Sequence, residues 1–309
     1  MPNQPNRALT LSTELTVTGF LQAAKATNFD NEEAVAKFTA QFQSKLCNPA
    51  KNNANTEQAL HILTGKKKTE LQEYKPFLRW VCKDHPKLFE YKFDGLPPLH
   101  LAIKSGNAGF VRIVLDGMVN SKTLFAPEDT SHRSCLHFAI SCESYLTKLI
   151  IEKAKELRSK LDDFNVFIKK DYLSLTPLRQ AVVQGLQVKE AEGFRAEEPD
   201  TDVPDRADSA SEEIEPFSTV QTIKDLVDAV DGALLEQDCN EDTPYQAIVR
   251  GIEDYLETCD KSREKDLEQF NIWWQDIHLA AMIIKNHCIR NMRRDDALKA
   301  LYKVGDGKC

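Results

Sequence analysis

No stretch of this 309-residue chain is apolar for long enough to span a bilayer; the longest runs, such as Leu279 to Ile284, stop far short of the roughly 20 residues a crossing helix takes. The amino terminus, MPNQPNRALTLSTELTVTG, carries one basic residue and has no continuous apolar stretch, so it lacks the pattern of a secretory signal. There is no Cys-x-x-Cys, no His-Glu-x-x-His and no Gly-x-Ser-x-Gly, which removes the common signatures of structural zinc, metalloproteases and serine hydrolases. Gly65-Lys66 and Gly305-Asp306-Gly307-Lys308 do not complete a phosphate-binding loop, because Leu60 and Tyr302 stand where its first glycine belongs. No catalytic residue, cofactor site or metal site is therefore expected.

A basic stripe is also missing. The formal net charge is −8, and the segment from Gln187 to Pro216 holds eleven acidic residues against Lys189, Arg195 and Arg206, so the remainder is formally neutral. Binding to nucleic acid or to an anionic membrane is not expected from such a distribution. The eight cysteines are spread thinly, several beside Leu, Val or Ile. They read as reduced thiols that pack as small hydrophobes, which places the chain in the cytoplasm or the nucleus.

The same acidic segment, 187–216, is rich in Glu, Asp, Pro and Ser and poor in aliphatic residues. It cannot bury enough apolar surface to offset backbone entropy of about 1–2 kcal/mol per residue. Disorder is expected there, with proteolysis cutting there first. Ser209 and Ser211, beside Glu212 and Glu213, are candidate phosphorylation sites.

The rest reads as helix. Before residue 90, apolar positions recur at helical spacing in Leu15–Ala26, Glu32–Leu46, Thr56–Leu63 and Leu71–Cys82. Asn31 is placed to cap the second of these, with Glu32 and Glu33 in its first turn.

An internal repeat follows. GLPPLHLAIKSGNAGFVRIVL, from Gly95, aligns with RSCLHFAISCESYLTKLII, from Arg133, and both contain Leu-His-x-Ala. Shorter copies are LTPLRQAVVQG from Leu175 and DTPYQAIVRG from Asp242. The intervals Leu99–Leu136, Leu136–Leu178 and Leu178–Tyr245 are 37, 42 and 67 residues; without the 30 residues of the acidic segment the last becomes 37. The acidic segment is then an insertion between a first helix at Pro177–Val183 and a second at Thr219–Val230. Ile252–Thr258, Leu267–His287 and Asp295–Lys303 follow the fourth copy and read as its remainder and a closing cap.

These copies resemble ankyrin repeats, whose signature is Thr-Pro-Leu-His-x-Ala at the start of a first helix. Thr176-Pro177 and Thr243-Pro244 match its capping threonine and first-turn proline. His100 and His137 match the histidine that ties neighbouring loops in that family. Pro97 stands in place of threonine, Cys135 in place of proline, Arg179 and Gln246 in place of histidine, and Tyr245 in place of leucine. His132, Cys135, His137 and Cys142 have metal-ligand types at close spacing, but the repeat register accounts for His137 and Cys135 without a metal.

The resemblance implies an all-α ankyrin-repeat solenoid. Its expected parts are a helical region at 1–90, repeats at 91–186 and 217–265, and a helical cap at 266–309. It also implies a protein partner, engaged by the finger-like loops before each copy. The candidate residues are Lys92, Asp94, Asp129, His132, Arg133, Lys170, Asp171, Asn240 and Asp242. Trp273-Trp274 is a further candidate anchor, although adjacent residues on a helix point about 100° apart and one of the two should lie in the core. A second resemblance, carried by IIKNHCIRNMRRDDALKALYKVGDGK from Ile283, is to the ankyrin region of fungal intracellular proteins that continue into a subtilisin-like protease. It implies a regulatory role beside a catalytic domain whose Asp, His and Ser motifs this chain does not contain.

Overall fold

The computed structural model of the chain describes residues 17–46, 54–92, 94–117, 128–160, 166–186, 218–258 and 264–302. The acidic segment and its serines lie outside them. Among the described residues the fold is all-α, without a strand; Glu128 and Ser134 form one isolated bridge.

Helices α1 (Val17–Ala26), α2 (Glu32–Leu46), α3 (Ala54–Thr64) and α4 (Lys68–Asp84) follow the apolar spacing. The Asn31 side chain accepts the Ala34 amide at 3.0 Å, supplying the cap that the start of α2 needs. Their apolar faces meet in an aromatic cluster. Phe20 packs edge-on against Phe42 at 4.9 Å, and Phe38 edge-on against Trp80 at 5.7 Å, an arrangement that aligns ring edge with ring face.

Three helix pairs come next: α5 (Pro98–Lys104) with α6 (Ala108–Gly117), α7 (Cys135–Ser141) with α8 (Thr147–Lys160), and α9 (Pro177–Leu186) with α10 (Thr219–Val227). The two helices flanking the acidic segment thus pack on each other. First helices lie side by side, α3 on α5, α5 on α7, α7 on α9, and α9 on α11 (Pro244–Thr258). Second helices form a parallel layer, with α4 on α6, α8 on α10, and α10 on α12 (Glu264–Asn291). The short α13 (Arg294–Leu301) closes the end against α11 and α12.

Residue size explains the spacing of the first layer. Leu99, Leu136 and Leu178 are buried, each worth about 2 kcal/mol of removed apolar surface. Ala102, Ala139 and Ala181 are fully enclosed, and their small side chains let adjacent helices approach. Pro98, Pro177 and Pro244 occupy first helical positions, where no amide partner is lost.

In the region read as a leader, α3 packs on α5 and α4 on α6. Leu60 is buried, and His61 Nε2 lies 3.4 Å from the Leu96 carbonyl, three residues before Leu99, just as His100 reaches Arg133, three before Leu136. Packing is therefore continuous across residue 90. At the other end, α11 is one helix of 15 residues that runs through Gly251 and takes in Ile252–Thr258. Its extra turns are held where Tyr255 stacks on Trp273 at 4.5 Å. Trp273 is buried and donates Nε1–H to the Leu186 carbonyl at 3.3 Å, while Trp274 is half-buried. No helix of the described residues is long and apolar enough to cross a membrane.

Candidate interaction surface

The loops before α7, α9 and α11 share one construction. In each, an aspartate, Asp129, Asp171 or Asp238, accepts two backbone amides on the same carboxylate oxygen, from residues two and four positions ahead, at 2.8–3.1 Å. Its own amide donates to the carbonyl four residues on, Arg133, Leu175 or Asp242, at 3.0–3.1 Å. The residue three positions ahead has positive φ, at His132 (58°), Ser174 (60°) and Glu241 (62°). In the loop before α5 that position is Gly95, φ 77°, where the absence of Cβ removes the strain.

Side chains then link each loop to the next. Lys92 Nζ donates to the Asp129 carbonyl at 3.2 Å, and the Tyr172 amide to the Ser131 carbonyl at 3.2 Å. Lys169 pairs with Glu128 at 2.6 Å, and Lys170 with Glu236 at 2.9 Å and the Gln237 carbonyl at 2.9 Å. Beneath the tips, His100 Nε2 meets the Arg133 carbonyl and His137 Nε2 the Leu175 carbonyl, both at 3.0 Å. Arg179, at the histidine position of the third copy, reaches Asp238 with Nε at 3.0 Å and a terminal nitrogen at 2.8 Å. In the fourth, Gln246 Nε2 donates to the Lys299 carbonyl at 3.3 Å and Thr243 Oγ1 to the Ala300 carbonyl at 2.6 Å.

Electrostatics follows from this geometry. Burial pushes His100 and His137 from 6.5 down to about 4, so both rings are neutral. A carbonyl can only accept, so Nε2 carries the proton and Nδ1 is an acceptor. Ser134 Oγ–H donates to the Nδ1 of His137 at 2.8 Å. Burial alone would raise the carboxyls of Asp129 and Asp238, but hydrogen bonds outweigh it and hold both below the usual aspartate range. For Asp129 the Arg133 side chain leads, followed by the Arg133 and Ser131 amides; for Asp238 the Asn240 and Asp242 amides lead, followed by Arg179.

This sorts the residues expected to face a partner. Lys92, Asp94, His132, Lys170 and Asn240 are exposed on the row of tips, and Arg133 is half-buried, its guanidinium 2.6 Å from Asp129 and 5.2 Å from the Phe138 ring centre. Asp129, Asp171 and Asp242 are buried. Asp129 and Asp171 turn inward because the amides of a tight turn need an internal acceptor, and Asp242 is held by Arg250. Tyr172 and Leu173 lie in the loop Lys169–Leu173, one of the finger-like loops expected to face a partner, but sequence reasoning did not single them out; they are 62% and 44% exposed at the tip of the loop before α9. The signal was legible: an aromatic and an aliphatic residue between Asp171 and Ser174, in a loop whose position the repeat register fixes.

His137 has both ring nitrogens engaged by Ser134 and Leu175, and Cys135 is buried with its thiol pushed up by desolvation. No protein-family model matches the sequence, and a search of curated proteins finds no match.

Proposed function

We propose that this chain is an ankyrin-repeat scaffold, without catalysis of its own, that binds a protein partner along its row of loop tips. The observation that carries this reading is the shared aspartate-pinned turn, repeated in three loops and linked laterally by hydrogen bonds and ion pairs. Such linkage fixes the tips before binding, which lowers the entropy lost on association. Much of the charge on the row is already paired internally, so the contact centre is Tyr172 with Leu173, a rigid aromatic and an apolar neighbour inside a polar rim. Burial keeps Cys82 a thiol, pushed up to about 12, and packing of this kind suits the reducing cytoplasm or nucleus.

The test is quantitative affinity purification with the intact chain, with Tyr172→Asp combined with Leu173→Asp, and with Lys92→Glu combined with Lys170→Glu. All four positions are exposed, so the variants should fold, as circular dichroism would verify. Proteins retained by the intact chain should fall at least ten-fold with the Tyr172/Leu173 variant and by less with the lysine variant. A partner set indifferent to both would refute the loop-tip surface.

A further inference from the structure

Between α2 and α4 lies an open groove of about 840 Å³, remote in sequence from the loop tips and not needed for the reading above. Its floor is aromatic: Phe29 and Trp80 lie 5.1 Å apart. One wall, on α2, offers Val35, Ala36 and Ala40, whose small side chains leave the trough wide. The other wall carries Lys75, Arg79 and Lys83, four residues apart along α4 and so on one face of it.

These three cations differ from their neighbours. Lys25, Lys37 and Lys66 are paired with Glu73, Glu33 and Glu70 at 2.6, 2.8 and 2.6 Å. Lys75, Arg79 and Lys83 line the groove without an ion-pair partner among the described residues. The acidic lining residues, Asp30, Glu32 and Asp84, come from the beginning of α2 and the end of α4. The lining is thus mixed in charge, with all its cations on α4.

Pro76 sits inside α4 and lines the groove with Gln72. From Gln72 to Lys83 the wall is roughly 16 Å long at 1.5 Å per residue, about three helical turns.

We propose that the α2–α4 groove binds an amphipathic helix of a protein partner. The apolar stripe of that helix lies on Phe29, Val35 and Trp80, and acidic residues three or four apart on one flank lie against Lys75, Arg79 and Lys83. Apolar anchors at helical spacing are the usual way a helix fills such a trough, and unpaired cations along one wall select its charge.

Panning a displayed library of random peptides, roughly 11 residues long to match the wall, against the intact chain and an Arg79→Glu/Ala40→Trp variant tests this. Both substituted positions are exposed, and an unchanged melting temperature would show that the variant folds; Lys83→Glu alone serves as a milder second variant. Clones selected by the intact chain should carry Asp or Glu at three- or four-residue spacing beside an apolar stripe. Their affinity should fall at least ten-fold for the double variant, fall less for Lys83→Glu, and weaken with salt. Clones that are basic or neutral, or that bind all three proteins equally, would overturn the proposal. So would failure to select any discriminating clone, or a concentration-dependent dimer of the intact chain that the double variant abolishes, since the groove would then serve a second copy.

Discussion

At the scale of single residues, the clearest contrast is between two histidines in the same role. His137 has Ser134 beneath it, which caps α7 and donates to Nδ1. His100 has Pro97 there, so α5 starts without a side-chain cap and the buried Nδ1 has no hydrogen-bond partner among the described residues. Pro97 has φ −62° and ψ 157°, close to the −68° and 166° of Ser134, so serine fits the backbone. Pro97→Ser should therefore stabilise the chain by about 1 kcal/mol, the cap and the satisfied nitrogen exceeding the entropy lost with proline. A rise in the urea midpoint would show this; an unchanged or lower midpoint would mean the hydroxyl does not reach Nδ1.

At the scale of helices, the packing of α4 on α6 makes a prediction that runs against helix propensity. A Cβ on Gly117 would come within 2.8 Å of Cys82 Cβ, an atom anchored to the backbone of α4. Gly117→Ala should destabilise by about 1–3 kcal/mol, although alanine is the better helix former by about 1 kcal/mol. Calorimetry of the variant decides between these two effects. The starts of α5, α9 and α11 were legible because proline at the first turn fixes them, as was α2 from Asn31. The packing of α3 and α4 on α5 and α6 was not, because Leu63 stands where the other copies have alanine and Ala59 where they have proline or cysteine. The length of α11 depends on Tyr255 meeting Trp273, a contact between segments that no local pattern encodes. The α2–α4 groove was likewise illegible: periodicity shows which face of a helix is apolar, but not where a neighbouring helix stops short of covering it.

At the scale of the whole molecule, the buried histidines set a pH dependence. Their folded value of about 4 lies below the ordinary 6.5, so between those values the unfolded chain binds more protons. Stability is then complete above about pH 6.5 and falls as pH drops toward 4, by on the order of 3 kcal/mol for each histidine. The depressed carboxyls of Asp129 and Asp238 act in a lower window, losing their contribution only as pH falls below the ordinary aspartate range, near 4. Urea midpoints from pH 7 to 4.5 should decline, and His100→Asn with His137→Gln should flatten that decline; a flat profile in the intact chain would contradict the assignment. The ties made by these histidines, and by His61, have a further consequence for how the chain tolerates change. Each ends on a main-chain carbonyl, of Leu96, Arg133 or Leu175, so the tie itself does not depend on the receiving side chain and survives substitution there. The joint between α9 and the loop before α11 is different. There Arg179 meets the carboxylate of Asp238, a keyed connection in which neither residue can change alone.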